Sequence, residues 1–374
     1  MFQRFGIKIH FAHRTFKWES EARGKAHVHV VIIGFGAFEG TRKQIYDYDG
    51  DKVVATQVAN IGPYLVEGTD RAVVSRSQPI CAVPEIVYGS KPTDGGHLLI
   101  DDVDLSNFLE ENPSARKFIH RLIGSEEFIN GITRWCLWLK DASPRELRTI
   151  EGIRIRVEAV RKFRLASKKE PTREKADEPA LFAEIRQPDT AYLLIPSVSS
   201  ETRIYVPLGF ISSDVIANNL VMFVPDATTY HFGILSSAMH MAWMRQVCGR
   251  LESRYRYSNK LVYNNFPWPE PTDKQRAAVE KAAQVVLDAR KKFSDSTLAD
   301  LYDPLFMPPV LVKAHAELDR AVDLCYRPQP FDNDRQRVEH LFALYEKLTA
   351  PLLPAAKKVR PRRGVRAKST SAHN

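Results

Sequence analysis

Only four cysteines, Cys81, Cys136, Cys248 and Cys325, occur in 374 residues, and no two of them form a Cys-x-x-Cys pair. That scatter excludes a zinc ribbon and reads as reduced thiols in a cytoplasmic protein. Long hydrophobic runs are missing too. The longest, around Val28–Phe35, is far short of the ~20 residues that cross a bilayer, so no membrane association is expected. The first residues lack the apolar stretch of a secretory leader, and export is not expected. No internal repeat stands out. What remains is an ordinary globular profile, 44% apolar and 26% charged, with enough length for two or three domains.

The positive charge is unevenly placed. Lys357–Asn374 holds seven Lys/Arg and no acid, which leaves only +2 of the net +9 for the rest of the chain. This Pro- and Ser-containing tail is expected to be disordered. The second concentration, Arg145–Lys175, carries eleven Lys/Arg against five Glu. A local excess of this kind suits a polyanion-binding face, and it equally suits a solvated helix face.

Along the chain, "IKIHFAHRTFKW" (7–18) alternates as a strand, and "KAHVHVVIIGF" (25–35) reads as a buried strand in a covered sheet. Two strands cannot bury both faces of a sheet, so the chain is expected to begin inside a domain. The spacing of Phe118, Leu122 and Ile123 predicts a helix over 112–131, and "TRWCLWL" (133–139) predicts a strand. Residues 143–167 are expected to be mostly helical, with an Ile153/Val157/Val160 stripe and Arg154, Arg161 and Arg164 on another side. A strand pair around a Ser-rich turn is expected over 190–210, and one buried helix over 230–251. After the Pro cluster at Phe266–Pro271, three amphipathic helices are expected: Asp273–Phe293, Val310–Tyr326 and Asn333–Leu348.

Several motifs bear on chemistry. "GFGAFEG" (34–40) follows a strand, as phosphate- and S-adenosylmethionine-cradling loops do. Such a loop opens a helix, whereas "TRKQIYDYDGDK" reads as short and turn-like. The end of a core strand is therefore the preferred reading, and no cofactor site is assigned. His27 and His29 share a strand face but lack a third ligand of suitable spacing, so no metal site is assigned either. "YNNFPWP" (263–269) is close to the Asn/Asp-Pro-Pro-aromatic loop of enzymes that methylate a base amino group. Phe266 stands where the rigid Pro belongs, and no cofactor fold precedes it, so this reads as a structural joint. Glu201 and Arg203 in "PSVSSETRIYVP" share a face of an extended segment. Glu can accept from cytosine N4, and Arg can donate twice to guanine. A cross-strand ion pair of little worth explains them equally well.

Taken together and in order, "FAHRTFKWESEARGKAHVHVVIIGF", "NIGPYL", "GSKPTDGGHLL", "FINGITRWCLWL", "IPSVSSETRIYVP", "ILSSAMHMAWMR", "YRYSNKLVYNNFPWP" and "RVEHLFALYEKL" resemble the C-terminal part of the MmeI-like restriction–modification enzymes, which are class I DNA methyltransferases. The resemblance runs nearly to Leu348. It implies an α+β chain with 1–60 as the last strands of a Rossmann-like methyltransferase sheet and 61–269 as a mixed α/β target-recognition domain. A small helical domain over 270–350 and a basic tail over 351–374 complete it. It implies N6-adenine methylation from S-adenosylmethionine by the complete enzyme, with the cofactor motif, catalytic loop and nuclease upstream of Met1. No catalytic residue is therefore expected here. A separate upstream methyltransferase or nuclease chain would be the protein partner.

By the same resemblance, Glu201 and Arg203 become base readers on double-stranded DNA, assisted by Tyr205. Arg161, Arg164, Ser167 and Lys168 fall where further groove contacts lie. Arg154 and Arg156 hold phosphates, as do Arg161 and Arg164 in part, positioning without specifying. Phe16 and Trp18 lie in the segment that supplies an aromatic wall for a flipped adenine in related enzymes; plain core is the alternative. The rival functional reading is a stand-alone DNA-binding specificity module without enzymatic activity.

Overall fold

The computed structural model describes residues 2–18, 28–49 and 52–350. The basic tail, His27, and the side chains of Trp18 and His29 lie outside the described residues. The fold is mixed: several small sheets and a group of helices.

The first sheet has strand order β2-β1-β3-β4, with β1 Lys8–Trp18, β2 Val28–Gly36, β3 Lys43–Asp49 and β4 Lys52–Val58. β1 runs antiparallel to β2 and parallel to β3, and β3–β4 is a hairpin. The sequence misled twice here. β2 is an edge strand, not a central one, and Val31, Ile32, Ile33 and Phe35 are exposed rather than buried. An apolar run marks a strand but does not say whether both its faces are covered. The stretch after Gly40 is a strand pair, not a turn. Ile45, fully buried with Ile9, Ala12 and Ile61, gives that hairpin its inner face.

Three further sheets follow. Gly209–Ile211, Tyr192–Pro196, Val221–Pro225 and Val87–Tyr88 pair antiparallel in that order. Ile216–Ala217, Ile119–Ile123, Arg134–Leu137 and Leu99–Asp101 form a mixed sheet. The expected helix over 112–131 is thus divided. Pro113 opens a tight turn to Phe118, a strand covers Ile119–Ile123, and only Ser125–Asn130 is α-helical. Short apolar runs do not separate a buried strand from a buried helix, and β-branched Ile119 and Ile123 favour the strand. The fourth sheet is small: Val198–Ser199, Arg254–Arg256 and Gly249–Leu251.

Residues 143–167 fold as a short helix, Pro144–Thr149, and a long one, Glu151–Leu165. Ser143 caps the first in a reciprocal box with Glu146. The expected single helix over 230–251 is two, Thr229–Leu235 and Ala238–Val247. The break falls at the Ser pair, where Ser237 Oγ donates to the Ile234 carbonyl and accepts from the His240 amide. Gly233 lies against Val279 and Ala283, where a Cβ would collide, so the helix can approach its neighbour closely.

The helices Asp273–Lys291, Pro309–Tyr326 and Asp334–Thr349 are present as the spacing predicts, with Leu298–Leu301 as a short extra turn. Thr272 and Gln275 form the capping box of the first. These helices do not own a separate core. Trp243 packs on Phe342 and Tyr345, and one apolar cluster runs from Val66 through Phe266 and Leu318 to Tyr345.

Candidate nucleic-acid interface

The segment after Ser199 is a turn, not the extended strand expected. Ser200 Oγ lies 2.8 Å from Thr202 Oγ1, and the Arg203 amide donates to the Ser200 carbonyl at 3.4 Å. Glu201 is exposed at its tip. A hydrogen bond from the Ser253 side chain holds the Glu201 carboxyl below its usual range, helped by Arg250 and Arg254 nearby. Arg203 is half-buried, and burial lowers its pKa despite Asp303 close by. A cleft of about 420 Å³ opens here between Ser125–Asn130 and the turn, with Ser199, Ser200, Arg203 and Arg254 on its walls. The Ser199 hydroxyl is buried and has no partner among the described residues. A larger hollow of about 750 Å³ elsewhere carries Glu111, Glu146 and Glu151 with a single Lys, the wrong sign for a polyanion.

The hairpin Gly249–Arg256 stands beside the turn, since Val198–Ser199 pairs with Tyr255 and Arg256. Arg250, Arg254 and Arg256 are exposed on it; Arg250 lies over the Tyr255 ring at 3.9 Å. These arginines were not singled out in the sequence. The alternation in "GRLESRYRYSN" (249–259) around a Glu-Ser turn was the available sign.

The long helix Glu151–Leu165 separates its arginines by face. Ile153, Val160 and Arg164 point to a core with Phe108 and Phe182. Arg154 is exposed and paired with Glu151 at 2.6 Å, and Arg161 is exposed. Arg156 turns inward, donating to the His97 and Leu99 carbonyls at 2.9 and 3.2 Å, with its guanidinium over Phe108. That geometry does not suit a phosphate contact.

Arg164 also departs from expectation. It is 0% exposed, and it donates to the carbonyls of Pro92, Thr93, Lys175, Glu178 and Leu181 at 2.7–3.0 Å. It ties the segments 92–93 and 175–181 to the helix and has no donor left for DNA. Ser167 closes a turn, accepting from the Lys169 amide, and Lys168 is exposed.

Tyr205 is likewise turned to partners within the chain. Its hydroxyl donates to Asp319 Oδ2 at 2.6 Å and its ring stacks on His315. Desolvation raises its pKa further above the phenolic range.

In "YNNFPWP" the side chains are committed to the core. Asn265 is fully buried, donates to the Val74, Lys260 and Leu261 carbonyls, and accepts from Arg76 Nε at 3.0 Å. Phe266 packs edge-on against His240 at 4.6 Å. Phe16 stacks on Tyr48 at 4.6 Å, and His13 Nδ1 meets Tyr48 Oη at 2.6 Å. Residues 34–40 do not fit S-adenosylmethionine: β3, not a helix, follows, and the Phe38 carbonyl meets His10 Nε2 at 2.9 Å. Among the described residues no His/Cys/Asp/Glu cluster suits a metal, and no helix is long and apolar enough to cross a membrane.

Comparison with known proteins bears on the same segments. Residues 67–270 match the family profile described as MmeI, target recognition domain; residues 271–353 match MmeI, C-terminal domain; residues 1–47 match MmeI, DNA-methyltransferase domain. "DNA methyltransferase A" of Bacillus subtilis (strain 168) is 38% identical over 346 residues, covering 92% of this chain and 39% of that protein. A solved structure of the Type IIL restriction–modification enzyme MmeI in complex with DNA is 47% identical with a TM-score of 0.82, over 92% of this chain and 46% of that one. The chain therefore spans less than half the length of either relative. With more than half of its residues, and the turn at Glu201 among them, inside the target-recognition profile, this chain belongs to the MmeI family.

Proposed function

We propose that this chain is the sequence-reading part of a site-specific DNA adenine-N6 methyltransferase of a restriction–modification system. The observation that carries this reading is the exposed turn at Glu201–Arg203, flanked by the arginine hairpin, within a matched target-recognition domain. In this reading Glu201 accepts from a cytosine N4 amino group and Arg203 donates to guanine O6 and N7. Arg250, Arg254, Arg154 and Arg161 hold phosphates and set the register without reading sequence, while Ser167 and Lys168 add groove contacts to the bases. Phe16 and Trp18 keep the role of an aromatic wall for the extruded adenine.

The chain divides at about residues 60, 269 and 350 into sheet, recognition, helical and tail regions. Methyl transfer uses S-adenosylmethionine bound outside these residues, by an associated methyltransferase domain, in the cytoplasm.

The test is equilibrium binding of the full chain to a duplex pool with randomised central positions. Exchanging the pair, Glu201→Arg with Arg203→Glu, is expected to change the preferred base pair. Arg254→Gln is expected to weaken binding to every duplex and reduce the salt slope by ~0.9. Uniform weakening by the exchanged pair, with no change of preference, would sink the base-reading assignment.

A further inference from the structure

The turn after Ser199 lacks a hydrogen-bonded ladder over Ser200–Leu208, yet it is fastened from outside by side chains, the Val206 amide on Met241 Sδ at 3.4 Å among them. The Ile204 carbonyl accepts from Arg245, whose other Nη reaches Asp334 Oδ2 at 2.8 Å. Tyr205 donates to Asp319 Oδ2 at 2.6 Å and stacks on His315 at 4.0 Å. The Leu208 carbonyl accepts from Arg290, whose Nε reaches Tyr302 Oη at 2.6 Å, and Tyr302 in turn meets His315 Nε2 at 2.8 Å. Asp319 Oδ1 also accepts from the Ala238 amide at 2.7 Å, at the start of the helix that carries Arg245. Arg290, Asp319 and Asp334 lie on three different helices of the region 271–353.

We propose that Asp319, acting through Tyr205, is a positioning residue for base reading, so that the C-terminal helices set the register of Glu201 and Arg203 on DNA. This rests on the function proposed above. A segment with no ladder is ordered only by its anchors, and unanchored backbone loses conformational freedom on binding instead of beforehand. Hydrogen bonds to base edges depend on geometry, whereas phosphate contacts tolerate displacement. The hydrogen bonds of Asp319 go to Tyr205 and Ala238, not to the arginine hairpin or the long helix. Loosening the anchor therefore removes discrimination before it removes affinity.

The side chains support this asymmetry. Asp319 spends both oxygens, one on the turn and one on the helix start, with the Arg337 charge nearby. Burial pushes its pKa up to about 6 against the opposing pull of those two hydrogen bonds.

The experiment compares the native full chain with Tyr205→Phe and Asp319→Asn, on the preferred duplex and on a scrambled one. Tyr205→Phe removes only the hydroxyl and keeps the ring on His315, so the fold survives. The expected result is a preferred-to-scrambled ratio lower by about tenfold, comparable to one base pair of discrimination. Affinity for the scrambled duplex and the salt slope stay within about twofold of native values. Asn265→Ala, which loosens the same core without touching the turn, is the control and is expected to leave the ratio unchanged. An unchanged ratio in both variants, with only a lower melting point, overturns the positioning role. A native chain that does not distinguish the two duplexes overturns the base-reading function, and this inference with it.

Discussion

Replacing Arg164 by lysine is the sharpest test of how the fold uses its basic residues. Five carbonyls, from Pro92, Thr93, Lys175, Glu178 and Leu181, converge on one guanidinium. A lysine ammonium has three donors on a compact centre, so at least two of those carbonyls lose their partner. Hydrogen bonds to a charged group contribute roughly 1.5–3 kcal/mol each, which puts the loss at about 3 kcal/mol or more. For a chain of this size that is a fall of about 4 °C in melting temperature. Thermal and urea unfolding followed by circular dichroism measure it. The salt slope of DNA binding is expected to stay at the native value, because the group is enclosed. A native melting point together with a slope lowered by ~0.9 would refute the reasoning, since it would mean that the guanidinium meets a phosphate.

Two further outcomes are expected. Asp319 titrates near pH 6 in the folded chain and near 4 when unfolded, as burial outweighs the hydrogen bonds from Tyr205 and Ala238 and the nearby Arg337 charge; Asp323 adds to the rise. The native state therefore binds the extra proton between those values. The linked stability is fully present below pH ~4 and is lost as pH rises through about 6, at no more than ~1.4 kcal/mol per pH unit. In urea unfolding across this window, the native chain should lose ground to Asp319→Asn as pH rises; a constant difference would contradict the assignment. Asn265→Ala leaves the Val74, Lys260 and Leu261 carbonyls short of a donor and is expected to cost about 2–4 kcal/mol of stability. Unaltered stability with a loss of methyl transfer, measured together with the methyltransferase domain, would instead make Asn265 a residue of the reacting base.

The sequence showed some of this well and some of it poorly, for physical reasons. The helices after Thr272 were legible because a capping box and a 3.6-residue apolar period both act locally. The helix through Val160 was legible from the same apolar period, and the strand at Arg134–Leu137 from a short run of large apolar side chains. The fates of Arg156, Arg164 and Tyr205 were not. Each is decided by partners far along the chain: carbonyls at 97 and 99, carbonyls at 92–93 and 175–181, and a carboxylate at 319. A basic helix looks the same whether its arginines face solvent or hold loops. Glu201 and Arg203 were picked out by residue chemistry and family resemblance, and the turn that presents them escaped the alternation argument. The exposure of β2 was invisible for a related reason: hydrophobicity reports what a strand can bury, not what is there to cover it.

The first sheet and the last helix touch. Arg335 reaches Asp47 at 3.2 Å and Thr56 at 3.0 Å, Thr69 meets Glu346, and Tyr64 stacks on Phe342. Contacts between residues almost 290 positions apart cannot form until the ribosome has released nearly everything between them. The β1–β4 hairpins must therefore wait through most of synthesis with their supporting surface not yet made. Until then Asp47 and Thr56 wait without the guanidinium that later joins their hairpin to the last helix.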